Sequence, residues 1–598
     1  MSEPKKTGSN KSEAKTEESV QSVPRIGVYV CNCGTNIAKV VDCEGVTESA
    51  LNEPGVTVAK SYKYMCSNPG QDMIIEDIQT QGLERVVVAA CSPRMHEPTF
   101  RKALTKAGIN PYFVEMANIR EQCSWVHDDP AVATEKARSL TRAAIRRVAR
   151  HQPLERRSVE MNSNVLVVGG GIVGMTAALE LADGGCRVYL VEREDHLGGN
   201  VARVDLTAPY LDSARDLVTA LVTRSSEHPL IEVLLESEVK SLTGFVGNFE
   251  AVISSKAGGR RSKGEGTKTE IQIGNVVVAT GYQEFDASRV THYGYGKLPN
   301  VITSFEFEQM LKTGRVETKE GKLPQYVAII HCVGSRSKEF HTYCSRVCCM
   351  TALKYTHEVK SALPKAYVSD VYIDMHAFGK GHEDFYRQTS EAKTLFLMYG
   401  KNDHPVIRKA GPKDGCEMLI EVNEQLSGEV IEIPADLVIL MVGMEARADS
   451  EDVARLVNIS RDKDGWFIES HPKLDPVATT TEGVYIAGAC AAPKDIPDSV
   501  AQARAAAGRI LARAIRGTIE IDAVFAEVDE EKCSGCRICN ELCPYSAIEY
   551  DEEKKKSNVI SALCKACGAC VAACPSAAIT ARHFTDEQIL AQIEGVLA

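Results

Sequence analysis

The sequence predicts a multidomain α/β protein that closes with a small cysteine-rich domain. Three observations carry that reading. Strand-like runs alternate with helical stretches from about residue 25 to 520, as in sheets covered by helices. A strand, the pattern Gly169-x-Gly171-x-x-Gly174 and a helix follow one another within 164–193, as in a Rossmann-type nucleotide-binding unit. A unit of four cysteines closed by a proline occurs twice between 533 and 575.

The 598 residues are too many for one core and supply apolar surface for several. A net charge of −12 and a pI near 5.7 argue against a nucleic-acid partner, whose phosphates call for a basic surface. No apolar run approaches the roughly 20 residues that span a bilayer, so direct membrane insertion is not expected and any attachment would come through a partner. Residues 1–24 mix Lys, Glu, Ser and Thr without an apolar stretch, which reads as a disordered tail and not as a secretory signal. The chain is therefore expected in the cytoplasm. There its 21 cysteines, clustered along the chain, point to metal rather than to disulfides.

In order, residues 25–150 form an N-terminal α/β domain, with strands at 26–30 and 85–90 and an Ala/Arg-rich helix at 131–150. A polar join leads to a second α/β region at 160–520, within which 254–270 reads as a solvated hairpin loop. The duplicated cysteine unit occupies 524–582, and 583–598 form a terminal helix.

The duplicated unit reads Cys533-x2-Cys536-x2-Cys539-x3-Cys543-Pro544 and Cys564-x2-Cys567-x2-Cys570-x3-Cys574-Pro575. This is the bacterial two-cluster ferredoxin run, in which the fourth cysteine of each run ligates the other cluster. Cys533, Cys536, Cys539 and Cys574 are thus assigned to one [4Fe–4S] cluster. Cys564, Cys567, Cys570 and Cys543 are assigned to the other. Zinc is the alternative for paired CxxC motifs, but it explains neither the third cysteine of each triplet nor the duplication.

In the glycine motif the first glycine makes the tight turn and the second lets backbone approach a pyrophosphate. The third lets helix pack on strand. Glu192 ends the next strand, eighteen residues after Gly174, where an acid binds ribose hydroxyls. A second strand, YVAII at 326–330, is followed by HisCysValGlySerArg with the one glycine Gly334, too few for a second phosphate cradle. A nicotinamide site of the usual kind is therefore expected to be lost. Four cysteines stand there instead: Cys332, Cys344, Cys348 and Cys349. On a helix Cys344 and Cys348 would share a face, while Cys349 would join them only if the helix start is irregular. Metal, a redox-active disulfide and buried structural thiols are the readings open to these four.

The segments at 192–199, 276–285 and 483–510 resemble the two-dinucleotide-domain flavoproteins related to thioredoxin reductase. That resemblance implies FAD as the nucleotide. It places Gly198 and Gly199 beside it, the Ala279-Thr280-Gly281 strand end across it, and the Gly488 turn over its ribityl chain. The helix carrying Gln502 would lie over the isoalloxazine. The family's Asp after that last glycine is Ala489 here.

A more specific resemblance is carried by TyrMetCysSerAsnProGlyGln (64–71), CysSerProArgMetHisGluProThrPhe (91–100), the segment around Cys123 (116–127) and TyrCysSerArgValCysCysMet (343–350). These are similar to HdrA, the iron–sulfur flavoprotein of heterodisulfide reductase, over nearly the whole chain after the tail. The resemblance implies an irregularly ligated [4Fe–4S] cluster on Cys332, Cys344, Cys348 and Cys349 beside the flavin. By analogy Lys354 would approach flavin N5 and tune its potential; read from the sequence alone, a solvated helix lysine fits equally. The N-terminal domain would hold one further cluster, on Cys33, Cys66, Cys91 and Cys123, with Cys31 as an alternative ligand and Cys43 structural. Fewer ligands or none is the competing reading.

The implied activity is flavin-based electron bifurcation between a donor module, ferredoxin and a disulfide-reducing partner. The implied partners are HdrB- and HdrC-like subunits, with ferredoxin and a hydrogenase or dehydrogenase supplying electrons, around a homodimer in an anaerobic organism. The flavin region contains no CxxC, so disulfide chemistry is expected on a partner. Many members of this family carry an extra ferredoxin module in the flavin domain. This chain has no cysteine between Cys186 and Cys332, so the module is missing. The alternatives are a non-bifurcating relay in a quinone-linked complex and a stand-alone NAD(P)H oxidoreductase.

Overall fold

The computed structural model describes residues 23–256 and 267–598. The tail expected at 1–24 lies, up to residue 22, outside the described residues, as does the middle of the loop expected at 254–270. The strands flanking that loop, Asn248–Ser255 and Thr267–Ile273, pair antiparallel with Ser255 opposite Thr267. The chain divides into two compact units. One joins the chain up to Arg157 with Ile521–Ala598; the other is Ser158–Glu520.

The first unit is built on a parallel sheet in the order Val56–Tyr62, Ile26–Cys31, Arg85–Ala90, Val114–Asn118. The Ile26–Cys31 strand is buried at every position, as expected of a central strand covered on both faces. Strand order reverses between Ile26–Cys31 and Arg85–Ala90. Open parallel sheets form a crevice beyond the carboxyl ends of strands at such a reversal. Cys31 ends the first of these two strands, Cys33 follows it, and Cys91 comes directly after the second.

The carboxy-terminal segment belongs to this same unit. Two short antiparallel pairings, Ala526–Val528 with Ile579–Ala581 and Ile548–Asp551 with Lys556–Val559, and two one-turn helices, Ile538–Leu542 and Ala569–Ala573, repeat the sequence duplication in three dimensions. The final helix, Asp586–Leu597, opens with a capping box between Thr585 and Gln588 and lies on the long helix Pro130–Val148. Small residues make that approach close: a Cβ added to Gly595 would fall 2.6 Å from Ala143 Cα. Arg142 donates to the Gly595 carbonyl at 2.7 Å, and Arg147 donates to that of His583 at 2.8 Å.

The second unit contains two halves of like design. One is a parallel sheet in the order Ile231–Leu234, Val188–Val191, Val165–Val168, Asn275–Val278, Val484–Ile486, with an antiparallel meander beginning at Ser237–Phe245. The other runs Val301–Thr303, Leu437–Val442, Tyr326–Val333, Tyr367–Tyr372, Leu395–Met398, again with a three-stranded meander, Val406–Lys409, Met418–Glu424 and Glu429–Ala435. The central strands are apolar runs such as LVILMV, buried at every position. These are the two Rossmann-type halves expected of a thioredoxin-reductase-like flavoprotein.

Because Gly595 leaves no room for a side chain against Ala143, Gly595→Val is expected to lift the last helix off Pro130–Val148. Overpacking of this kind costs about 1–3 kcal/mol. Limited proteolysis and thermal melting check it: faster carboxy-terminal cleavage is expected for Gly595→Val, and wild-type behaviour for Leu590→Glu, whose side chain is exposed.

Candidate cofactor sites

A cavity of about 1400 Å³ opens in the Ser158–Glu520 unit, and residues expected around FAD line it: Gly169, Gly171, Glu192, Gly198, Gly199 and Ala279 to Gly281. The three motif glycines divide their work as the sequence implies. Gly169 adopts φ +110°, and a Cβ there would strike the Ala279 carbonyl, so the two strand ends touch. At Gly171 a Cβ would have nothing nearer than 4.0 Å, leaving backbone open to a ligand at the start of helix Ile172–Asp183. At Gly174 a Cβ would overlap the Gly169 carbonyl, which fixes helix against strand. The Glu192 carboxylate accepts from the Gly170 N–H at 2.6 Å and the Glu194 N–H at 2.9 Å, which holds it at the cavity rim. Gly488, at φ +77°, presses on Val173, and its N–H donates to Gln502 Oε1 at 2.9 Å. Gln502 thus fixes the turn, while Ala489 faces the cavity.

In the second half no equivalent cradle forms at Gly334. A Cβ there would overlap the ring of buried Phe285, so this glycine makes room for an aromatic side chain.

The cysteines of this half gather beside the cavity. Cys332 lies on the Tyr326–Val333 strand with φ +58°, a left-handed conformation that bends the chain out of register with its neighbour. The helix begins at Cys348 and runs to Ala362, so Cys344 precedes it and the face shared by Cys344 and Cys348 on a regular helix does not form. Arg346, at φ +63°, makes the irregular entry that brings Cys349 to the group. Burial pushes the Cys332 thiol up to about 12, and Cys349 and Cys344 add to the rise. Cys348 is raised by burial and then by Cys332, Cys349 and Cys344. Burial also acts to raise Cys349, but the neighbouring His331 outweighs it and lowers that thiol. His331 is itself paired with the fully buried Asp370, and Arg336, paired with Asp374, lies against Cys332.

The same helix reaches the cavity. Val347, Met350, Thr351 and Lys354 line it. Lys354 is 2% exposed, which rules out the solvated alternative. Its ammonium pairs with Glu308 Oε1 at 2.5 Å and donates to the Leu206 carbonyl at 3.0 Å. Glu308 further accepts from Tyr355 Oη at 2.8 Å and the Asp205 N–H at 2.9 Å. Glu308 is a cavity-lining residue that sequence reasoning missed, since nothing local marks the acid in SFEFEQMLK as facing a lysine 46 residues away.

In the first unit, burial raises the Cys31 thiol, and Cys33 and Cys66 act on it. Cys91 is pushed up to about 11 by burial, with Arg120 opposing and Cys31 and Cys33 adding. Cys31, Cys33, Cys66 and Cys91 are therefore within electrostatic reach of one another near the strand-order reversal, and the Arg120 charge acts on Cys91 and Cys33. Cys123 is placed apart from the expected group. It is fully buried among Val28, Ala133 and Ala137, and its thiol donates to the Ala133 carbonyl at 3.0 Å. Cys43 packs in the same core, near Cys31.

In the duplicated domain Cys539 and Cys570 are buried while Cys536 and Cys567 are exposed. Burial raises Cys570 to about 11, followed by the effects of Cys564, Cys543 and Cys567, so Cys543 reaches across to the second triplet. The N–H groups of Ala547 and Ala578 donate to Cys543 and Cys574 sulfur, each at 3.3 Å. The same bond recurs in both repeats, as expected of thiolates that carry charge. Cys533 and Cys574 complete the expected set in the chain.

Comparison with known proteins identifies a flavin domain and a two-cluster domain in the same places. Residues 164–238 match the family described as FAD dependent oxidoreductase, and 526–575 match the 4Fe-4S dicluster domain. The chain is 39% identical, over 98% of its length and 99% of the relative's, to the HdrA component of the H(2):CoB-CoM heterodisulfide,ferredoxin reductase of Methanothermobacter thermautotrophicus. It is 38% identical, over 96% and 98%, to the iron-sulfur HdrA component of the CoB--CoM heterodisulfide reductase of Methanocaldococcus jannaschii. Thioredoxin reductase of T. acidophilum is similar at 16% identity, with a TM-score of 0.39 over 59% of this chain and 99% of that one. The alignment with the Methanothermobacter relative runs over 660 positions against a chain of 598, so that relative carries residues this chain lacks.

Two Rossmann-type halves around a nucleotide cavity, in one chain with a two-cluster ferredoxin domain, define an iron–sulfur flavoprotein oxidoreductase. More particularly, the chain belongs to the HdrA family, the FAD- and iron–sulfur-bearing electron-transfer subunits of heterodisulfide reductase.

Since Gly174 has no space for a methyl group against Gly169, Gly174→Ala is expected to displace the helix that opens at the nucleotide cavity. The purified variant should retain less than half the wild-type flavin and melt earlier, in line with an overpacking cost of about 1–3 kcal/mol. Wild-type flavin content and melting would contradict this assignment.

Proposed function

We propose that this chain divides electron pairs at its flavin between a disulfide-reducing partner and a low-potential ferredoxin, within a complex containing HdrB- and HdrC-like subunits. A hydrogenase or dehydrogenase module would supply the electrons, and two copies of the chain would organise the assembly in the cytoplasm. The observation that carries the reading is the helix Cys348–Ala362, whose first turn bears two of the four gathered cysteines while its next residues line the flavin cavity. The name of the Methanothermobacter relative, which joins heterodisulfide and ferredoxin in one reductase, supports the same pair of acceptors.

FAD supplies the exchange between paired and single electrons. The protein's own residues do the rest. Gly169, Gly171 and the amino end of helix Ile172–Asp183 would receive the pyrophosphate and Glu192 the ribose, while Gly281 and Ala489 border the remainder of the cavity. Lys354 places its ammonium in a buried wall of the cavity, kept there by Glu308. Cys332, Cys344, Cys348 and Cys349 would hold one [4Fe–4S] cluster next to that wall. His331 and Arg336 beside them favour added electrons there.

Four clusters are proposed in all: this one, the ferredoxin pair, and one in the N-terminal domain. For the last, the gathered thiols Cys31, Cys33, Cys66 and Cys91 are the better ligand set, with Cys31 in the place expected of Cys123. Cys31→Ser is then expected to lower bound iron by about four atoms per chain, and Cys123→Ser to leave it unchanged. The reverse result would restore Cys123 as the ligand.

A non-bifurcating relay is favoured by one observation, the missing ferredoxin module. The assembled complex separates the two readings. Bifurcation predicts that ferredoxin is reduced only while the heterodisulfide is reduced, in matched amounts. Heterodisulfide reduction that proceeds at full rate with no ferredoxin reduced would establish the relay.

A further inference from the structure

Lys354 faces a second buried carboxylate, to which the mechanism above gives no role. Glu358 lies one turn further along the same helix, with its side chain 7% exposed and Oε2 at 3.7 Å from Lys354 Nζ. The two acids differ in what surrounds them. Glu308 accepts from Lys354, Tyr355 and the Asp205 backbone, so its negative charge is well solvated by the protein. Among the described residues, neither oxygen of Glu358 has a partner within hydrogen-bond distance. One ammonium cannot neutralise two buried carboxylates, and a buried charge without hydrogen bonds is costly enough that the group takes a proton instead.

The charged groups acting on Glu358 are Lys354 on its own helix, Glu308 on helix Ser304–Lys312 and Asp205 before strand Leu206–Thr207. Two of these three are acids. Helix His382–Glu391, packed on the other side, meets this helix through Phe385 and Thr389 against His357. Burial accordingly raises the Glu358 carboxyl to about 7, against the pull of Lys354, with Glu308 and Asp205 adding to the rise.

Lys354 and Glu308 line the cavity and Glu358 does not. We propose that Glu358 is a proton store behind the flavin cavity, a carboxylic acid that reprotonates Lys354 after Lys354 has given a proton to a group bound there. In the resting arrangement Glu308 is a carboxylate, Lys354 an ammonium and Glu358 an acid, with no net charge. One Nζ–H bond of Lys354 breaks and its proton leaves for a basic atom in the cavity, where electrons have arrived from the donor module. The Oε–H bond of Glu358 then breaks and the Nζ–H bond forms again. The Lys354–Glu308 ion pair is restored, and Glu358 is left as the carboxylate. It is a positioning and proton-holding residue that acts through Lys354. The proposal rests on the reading of the cavity as the FAD site.

The test is infrared difference spectroscopy of the full-length, flavin-loaded protein, oxidised minus reduced, near pH 6. A protonated-carboxyl C=O band is expected in the oxidised wild type, shifted by deuterium and lost on flavin reduction. It should be missing from Glu358→Gln and present but displaced in Glu358→Asp, which also shows that the site still folds. The bend near pH 7 in the flavin potential plotted against pH should vanish in Glu358→Gln. A carboxyl band that persists in Glu358→Gln, or no carboxyl band lost on reduction in the wild type, would overturn the proposal. Failure of the underlying cavity reading gives a different result, since Lys354→Met would then leave the flavin absorption spectrum unchanged.

Discussion

The function of this protein depends on how the chain enters the helix Cys348–Ala362. That entry must serve two sites at once. It gathers Cys332, Cys344, Cys348 and Cys349 on one side and presents Val347, Met350, Thr351 and Lys354 to the flavin cavity on the other. A regular helix reaching back to Cys344 would aim Cys349 about 100° away from its neighbours. The left-handed Arg346 and the late start at Cys348 remove that conflict. Among the described residues no side chain caps the start, so its N–H groups and the positive end of the helix dipole stay available to nearby thiolates. The Arg346 N–H already donates to Cys344 sulfur at 3.2 Å.

Buried charge is handled the same way throughout. Each gathered group of cysteines outside the ferredoxin domain has a cation beside it, and each such cation has a carboxylate to hold it. Arg336 with Asp374 and His331 with Asp370 stand by the flavin-side thiols, and Arg120 with Glu121 stands by Cys33 and Cys91. Thiolates in an apolar setting are otherwise unfavourable, as the raised thiols of Cys332 and Cys348 show. A metal cluster held by these thiols would have to displace those protons, and a fixed cation would lower the cost. Such partners also set where on the wide scale of iron–sulfur potentials a cluster lies.

The parts of this arrangement legible in the sequence are those encoded by short spacing. The glycine fingerprint specifies a turn, an open backbone and a close helix approach within six residues, and Gly169, Gly171 and Gly174 perform those three tasks in place. The crossing of Cys543 to the second triplet follows from the x3-Cys-Pro spacing of the run. What spacing does not encode is convergence from distant strands. Cys31 and Cys123 both lie at or beyond the ends of strands of one sheet, and only the fold shows Cys123 turned into the core towards Ala133. Lys354 reads as an ordinary helix lysine because its partners Glu308 and Leu206 come from other elements. That Gly334 lies against the ring of Phe285 was not readable, because the two residues come from different elements.

We propose iron–sulfur clusters at all three cysteine groupings, one of them against the flavin. Iron, acid-labile sulfide and FAD measured per chain after anaerobic purification test this most directly. About sixteen irons and sixteen sulfides with one FAD are predicted, for four cubes. About eight irons with one FAD would confine the clusters to the ferredoxin pair. The gathered thiols of Cys332, Cys344, Cys348 and Cys349 would then be structural, and the helix that unites them with the cavity would carry no electrons.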